Sequence, residues 1–309
     1  MSATCLLNTA ARNLFSSGIA GFLRPGTLYS CTFSRQMTTP GRVDHLQRTA
    51  SNFRQMDVFP ARVCGIINES ASIRRLRLEV PDPNFSFRAG QWVDFFIPGM
   101  QKVGGFSMCS APGLLQREGV IELAVKFTEH PPAHWIHTKC ALGAQVAVRV
   151  GGDFYFDPTP DNSPLDLLLI AGGVGINPLY SMLLHAADLK RHSHTHTTDR
   201  TYTPGHTHLL YSAKNTQELL FKSSIIEVCK EFPETFSGNF HVTQQTAEIE
   251  QELQPYVRYG RISEAQLEHC LSERTFCYLC GPPPMIESVS NFLRSKGLSE
   301  DRIRYEKWW

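Results

Sequence analysis

The chain of 309 residues contains no run of about 18 consecutive apolar residues, so nothing in it reads as a membrane-spanning helix. It has no excess of one charge either: 30 basic residues stand against 29 acidic ones without a block of like sign, which gives no field for nucleic acid. That balance turns attention to small-molecule partners. The nine cysteines are scattered and odd in number, which argues against a secreted disulfide framework and for reduced thiols. Cys277 and Cys280 form a CxxC that could be a thiol pair or half a metal site, but no second CxxC exists and no iron–sulfur spacing occurs. A second candidate for metal is the stretch holding His192, His194, His196, His206 and His208, whose alternating imidazoles could chelate zinc if the loop folded back. Its shortage of apolar residues reads instead as an exposed polar insertion between a helix and a strand, and no metal ligand is assigned.

The first 43 residues lack aspartate, glutamate and lysine altogether, yet carry Arg12, Arg24, Arg35 and Arg42 among many Ser, Thr and Ala. That composition is expected of a mitochondrial transit peptide leading to the matrix, with a secretory signal or a plain disordered tail as the alternatives. Arg12 interrupts the apolar stretch that a secretory signal needs. Residues 44–58 are expected to form a linker.

From about Phe59 to Asp157 the sequence reads as short strands: Leu76, Leu78 and Val80 alternate with Arg77 and Glu79, and Ile121, Leu123, Val125 and then Val146, Val148, Val150 repeat the pattern. Gly90, Gly99, Gly104, Gly105 and the Pro112–Gly113 pair punctuate them, so a small antiparallel barrel is expected over 59–163. Beyond residue 164 strand and helix patterns alternate. Leu167 to Ala171 is a buried strand, His208 to Tyr211 another with a helical pattern from about Gln217 to Phe232 behind it, and Phe276 to Leu279 a third. Met285, Ile286, Val289, Phe292 and Leu293 then recur at helical spacing. The fold class expected is therefore two domains, an antiparallel β-barrel followed by an α/β doubly wound parallel sheet over 164–309.

The segment LDLLLIAGGVGINP, Leu165 to Pro178, carries an apolar strand into a glycine turn. Gly172, Gly173 and Gly175 would let backbone N–H groups approach a pyrophosphate without Cβ obstruction, and the following helix would present its positive end to the anion. Taken alone the turn is equally an ordinary strand-to-helix connection.

A barrel followed by this turn, then CGPPPM from Cys280, then an acid near a C-terminal aromatic pair, resembles the ferredoxin–NADP reductase superfamily over roughly residues 59 to 309. The resemblance implies an FAD-binding FR-type barrel and an NAD(P)-binding domain, with hydride passing between NAD(P)H and FAD and electrons going on to a separate acceptor protein. It implies that Gly172, Gly173, Val174, Gly175, Ile176, Asn177 and Pro178 hold the dinucleotide together with Gly281 and Pro282, and that Cys280 lies against the nicotinamide. NAD is the dinucleotide expected, with NADP left open because Ser212, Ala213 and Lys214 supply no acid for a ribose 2′-hydroxyl. On the flavin side it implies Phe106 against the isoalloxazine, Ser107 toward flavin N5, and Val125 and Lys126 alongside the ring. Glu306 is expected to orient the nicotinamide or relay a proton, and Trp309 to stack on the flavin, unless Trp308 and Trp309 merely seal the domain interface. Ser107, Cys280 and Glu306 are the catalytic candidates.

Three positions depart from the family pattern. Gly104 stands where an arginine clamps the FAD diphosphate, with Lys102 the one nearby cation to replace it, while His130 and Ala133 stand where a glycine and a serine supply diphosphate contacts, with Pro131 and Pro132 between them. These departures raise a second reading, an NAD(P)H-binding module that has lost flavin and serves as a regulatory or assembly factor.

Overall fold

The computed structural model describes residues 44–195 and 202–308. The expected leader (1–43), the middle of the histidine-rich stretch including His196, and Trp309 lie outside the described residues. The chain opens on a single helical turn, α1 (His45–Arg48), followed by β1 (Phe59–Asn68), β2 (Ile73–Glu79), β3 (Trp92–Phe96) and β4 (Gly104–Ser107). A short helix α2 (Pro112–Glu118), strand β5 (Val120–Lys126), helix α3 (Pro131–Thr138) and strand β6 (Gln145–Gly151) complete the first sheet. Its six strands pair antiparallel in the order β4-β3-β6-β1-β2-β5. An isolated bridge between Met108 and Leu123 joins the β4 end to the β5 end, closing the barrel expected from the alternating pattern. Leu76, Leu78, Val146, Val148 and Val150 all face its core.

The second sheet holds β7 (Asp166–Gly172), β8 (Thr207–Ala213), β9 (Phe236–Val242), β10 (Val257–Tyr259), β11 (Thr275–Cys280) and β12 (Ile303–Glu306). These pair parallel in the order β10-β9-β8-β7-β11-β12. Helices α4 (Ile176–Thr195) and α5 (Lys222–Glu231) cover one face; α6 (Glu264–His269) and α7 (Pro283–Ser295) cover the other. Strand β7 is buried along its whole length because Leu167, Leu169 and Ala171 meet the first layer while Leu168 and Ile170 meet the second. The chain leaves β7 toward β8 and returns on the other side as β11, so the carboxyl ends of β7 and β11 frame a topological switch point, the usual place for a ligand in such sheets.

Several local expectations need correction. The helix expected from Gln217 starts only at Lys222, because Asn215 caps a tight turn at Thr216–Glu218 and Phe221 takes φ 57°. Helix α4 runs on to Thr195, so His192 and His194 sit on its last turn instead of in an insertion, while His208 sits in β8 as the strand pattern from His208 to Tyr211 predicts. Among the described residues no cluster of His, Cys, Asp and Glu could hold a metal ion, and no helix is long and apolar enough to cross a membrane. The CxxC is not a thiol pair: Cys277 packs into one apolar layer and Cys280 into the other, as residues three apart in a strand must.

The two sheets share a core. Ile73, Ala89, Cys109, Ala124 and Phe154 of the barrel side pack in one apolar cluster with Leu179, Tyr180 and Met182 of α4. In residues 44–58, expected to be a linker, His45 and Thr49 are buried, with His45 only 2% exposed, while Phe53, Met56 and Val58 are exposed.

Candidate functional site

The glycine turn divides its labour. Gly173 has φ +56°, a conformation that side chains rarely adopt, and a Cβ there would meet nothing among the described residues within 4 Å. Gly175 and Gly172 are bare for another reason. A Cβ on Gly175 would fall on the carbonyl oxygen of Cys280, and one on Gly172 would lie 2.6 Å from Cδ of Pro282. Gly281 backs onto Gly172 in turn, its own Cβ position 3.0 Å from Cα of that residue. Two of the three turn glycines thus let β7 and the end of β11 touch, and Gly173, beside the exposed Val174, is the one that leaves open backbone for an anion at the start of α4.

The rest of the motif faces inward. Ile176 is fully buried, Pro178 is buried, and Asn177 donates from Nδ2 to the carbonyl of Ala124 at 2.7 Å, reaching β5 of the barrel. One turn on, Ser181 donates to the carbonyl of Ser110 at 2.6 Å and accepts from the Gly90 N–H at 3.3 Å. Asn177, expected to touch a dinucleotide, uses its amide N–H to join the two sheets.

Ser107, Cys280 and Glu306 do converge. In the register of β11 with β12, Cys280 stands opposite Glu306, and Ser107 Oγ donates to Glu306 Oε2 at 3.3 Å. Trp308 donates from Nε1 to the same oxygen at 2.9 Å. Burial pushes the Glu306 carboxyl up to about 8, and the two hydrogen bonds hold it back only in part. At neutral pH it is largely a protonated acid, able to donate as well as accept. Burial, and next the neighbouring Glu306, push the Cys280 thiol well up, so it is a neutral thiol and not a nucleophile.

The barrel face departs from what FAD would need. With Gly104 in the arginine position, the Phe106 ring folds over it: a Cβ on Gly104 would lie 2.6 Å from Phe106 Cε2 and 3.0 Å from Pro132 Cβ. Phe106 packs edge-on against Phe95, at 5.7 Å between centroids. Lys102, the one nearby cation, is more than half exposed and pairs with Asp44 at 3.2 Å. Helix α3 begins with Pro131 and Pro132, which carry no N–H, and His130 gives it no side-chain cap. Val125 is part of the barrel core, and of that pair only Lys126 is exposed. Gly105, finally, is covered by the His45 ring, which occupies the position a Cβ would take. These residues do not fit FAD in the manner expected of the ferredoxin–NADP reductase superfamily.

What covers that face is a cluster that no sequence motif marks. Asp94, fully buried in β3, accepts from His45 Nε2 (2.8 Å), Arg54 Nε (2.9 Å) and Arg149 Nη2 (2.7 Å). Burial alone would push its carboxyl up; the hydrogen bonds from His45, Arg54 and Arg149 outweigh that and hold it below the usual carboxylate range. The one sequence signal is an aspartate inside the apolar strand Trp92–Phe96. A crevice of about 320 Å³ opens beside it, lined by Thr49, Asn52, Trp92, Phe154, Glu306 and Trp308.

A family model described as the oxidoreductase NAD-binding domain matches residues 169–291, the span from β7 through most of α7. Among solved structures the fold is similar to an Amycolatopsis cytochrome P450 reductase (TM-score 0.66, 23% identity, 83% of this chain and 71% of that one). It is similar also to a Neisseria gonorrhoeae ferredoxin NADP+ reductase with bound FAD and NADP (TM-score 0.63, 17% identity, 82% of this chain and 100% of that one). The chain is 68% identical over 274 residues to the Danio rerio oxidoreductase NAD-binding domain-containing protein 1, covering 88% of this chain and all of that one. It is 52% identical over 283 residues to the Homo sapiens protein of the same name, covering 92% and 90%. With the two-domain reductase fold in place and identity running through both halves, the chain belongs to the oxidoreductase NAD-binding domain-containing protein 1 family.

Proposed function

We propose that the protein is an NAD(P)H-binding module of ferredoxin reductase type that works without FAD held in the family manner. The observation that carries this reading is the pairing of an open Gly173 turn with a closed flavin face, where Phe106 and Pro132 fill the arginine position and His45 covers Gly105. The diphosphate of the dinucleotide rests at Gly173 and Val174 ahead of α4, where backbone N–H groups and the helix dipole favour an anion. The nicotinamide lies at the ends of β11 and β12, where the protonated Glu306 donates to its carboxamide and Cys280 presents a small neutral surface. Expected as mitochondrial from its leader composition, such a module would report the reduction state of the matrix nicotinamide pool to a partner protein.

A second reading, flavin-dependent hydride transfer to a separate electron acceptor, is favoured by one observation, the Ser107–Glu306 contact beside Cys280. It requires the barrel face to open. The absorption spectrum of the purified full chain separates the two. The module reading expects a colourless protein that stays colourless after incubation with FAD and binds NADH or NADPH in equilibrium dialysis; a flavin band that survives desalting would overturn it in favour of the reductase.

A further inference from the structure

Among the described residues Phe221 alone, glycines aside, has a positive φ, 57°, a backbone conformation that a bulky side chain adopts at a cost. Such a cost persists where the surrounding structure fixes the residue. Here the ring is what is fixed. It stacks on Tyr180 of α4 with 4.2 Å between centroids and an angle of 6°, and the Arg75 guanidinium of β2 lies 5.8 Å from its centroid. Arg75 is held in turn by Glu69 (2.6 Å) and by Glu122 of β5 (2.7 Å). One ring therefore meets both α4 and the barrel.

Phe221 closes the loop that follows β8. Bonds within that loop set its shape: Asn215 Oδ1 accepts from the N–H groups of Gln217 (3.1 Å) and Glu218 (3.1 Å), and the Tyr211 hydroxyl donates to the Glu218 carbonyl (3.3 Å) and accepts from the Leu220 N–H (3.1 Å). The Gln244 N–H donates to the Lys214 carbonyl (2.7 Å) and ties the loop to the end of β9. None of these bonds reaches α4 or the barrel. Phe221 does, through Tyr180, which lies on α4 between Asn177 and Ser181, the residues that bond the barrel.

In a doubly wound sheet the end of the second nucleotide strand meets the ribose of the adenosine half. Strand β8 holds that place beside β7, and Lys214 is the exposed residue at its end. We infer that Phe221 is a positioning residue for the adenosine half of the dinucleotide: its ring holds the 214–220 loop in fixed relation to the glycine turn, so that ribose and diphosphate meet a preformed surface. The inference rests on the dinucleotide reading above and names the part of the ligand that depends on the ring. Phe221, only 9% exposed, acts through the loop. A side chain without a flat face frees the loop and adds the cost of ordering it to binding.

The test uses the full chain and equilibrium dialysis with NADH, NADPH, AMP as the adenosine half and reduced nicotinamide mononucleotide as the other half. Phe221→Leu keeps apolar bulk and loses the ring; Phe221→Gly loses the ring and relieves the backbone, since glycine takes this φ freely. Tyr180→Leu removes the partner of the stack and reads it from the α4 side if the Phe221 variants do not fold, which melting curves show. Each folded variant is expected to bind the dinucleotide and AMP roughly three- to tenfold more weakly, the ordering cost of a few side chains, with the nicotinamide half within about twofold of the natural chain. A ring that only supports the fold would weaken both halves alike or neither, and either result overturns the inference while leaving the dinucleotide site standing, as does a natural chain that binds NADH or NADPH but not AMP. No binding of either dinucleotide overturns the site and the inference together.

Discussion

Ser107 and Glu306, 199 residues apart, share a hydrogen bond of 3.3 Å that joins β4 of the barrel to β12 of the parallel sheet. It places a buried acid at the junction of the two sheets. Because burial holds that carboxyl near 8 where the unfolded chain holds it near 4.5, the folded state keeps a proton that the unfolded state releases. The stabilisation is complete below about pH 4.5, falls as pH rises toward 8, and is level above that. Glu306→Gln keeps an acceptor for Ser107 and Trp308 but cannot ionise. The variant's advantage over the natural chain is expected to grow by about 1.4 kcal/mol for each pH step of one across that window, to a few kcal/mol in all. Urea unfolding at a series of pH values checks this; a difference that does not change with pH sinks it.

The glycine turn yields a paired prediction. Gly175→Ala drives a methyl into the Cys280 carbonyl, backbone against backbone, so the variant is expected to lose about 2–4 kcal/mol or fail to fold. Gly173→Ala meets no neighbour and suffers only its positive φ, a cost of about 1 kcal/mol. It is nevertheless the substitution expected to weaken dinucleotide affinity, by about tenfold or more, since its methyl would enter the open space proposed for the diphosphate. Thermal melts with dialysis on the same samples distinguish the two roles; equal loss of stability in both variants would contradict the division.

The sheets are legible in the sequence because burial writes itself into residue pattern. A strand covered on both faces, such as Leu167 to Ala171, must be apolar throughout, and a barrel strand such as Val146 to Val150 must alternate. Ser107, Cys280 and Glu306 are legible through a resemblance, and the structure brings the three together. The glycines are harder to read. A missing Cβ looks the same in sequence whether a ligand or the chain itself occupies the space, and only geometry separates Gly173 from Gly175. The Asp94 cluster is illegible for a different reason: its partners sit 40, 49 and 55 residues away, and even Arg149, directly opposite Asp94 in the register of β3 with β6, is placed there by strand pairing and not by any spacing in the sequence.

Asn177 bears on how the two sheets stay in register. Its Nδ2 is the donor for the buried Ala124 carbonyl, while its Oδ1 has no partner among the described residues. Asn177→Ala leaves that carbonyl unpaired and removes an unsatisfied oxygen, so the net loss is expected to be about 1–2 kcal/mol, less than deletion of a fully bonded amide. Chemical denaturation measures it. A loss under a few tenths of a kcal/mol would mean that the Asn177 bond does not hold the sheets.

Asp94 is the strongest single test of the covered barrel face. A fully buried carboxylate with donors from His45, Arg54 and Arg149 gains little net stability from the charges themselves, but removing it leaves the partly buried Arg54 and Arg149 without the carboxylate they share. Asp94→Ala is therefore expected to cost about 3–5 kcal/mol at neutral pH. The pH dependence has a fixed sign. Its folded carboxyl lies below the ordinary 3.8, so its contribution is present above that value and is lost as pH falls through the folded value. Asp94→Asn should thus unfold at neutral pH more readily than the natural chain and show a smaller further loss on acidification below about 3.8. Arg149→Met supplies the control, since it removes one donor and leaves Arg54 and His45 on the carboxylate, and is expected to cost less than Asp94→Ala. An Arg149→Met loss as large as that of Asp94→Ala would show that the cluster does not depend on the shared carboxylate.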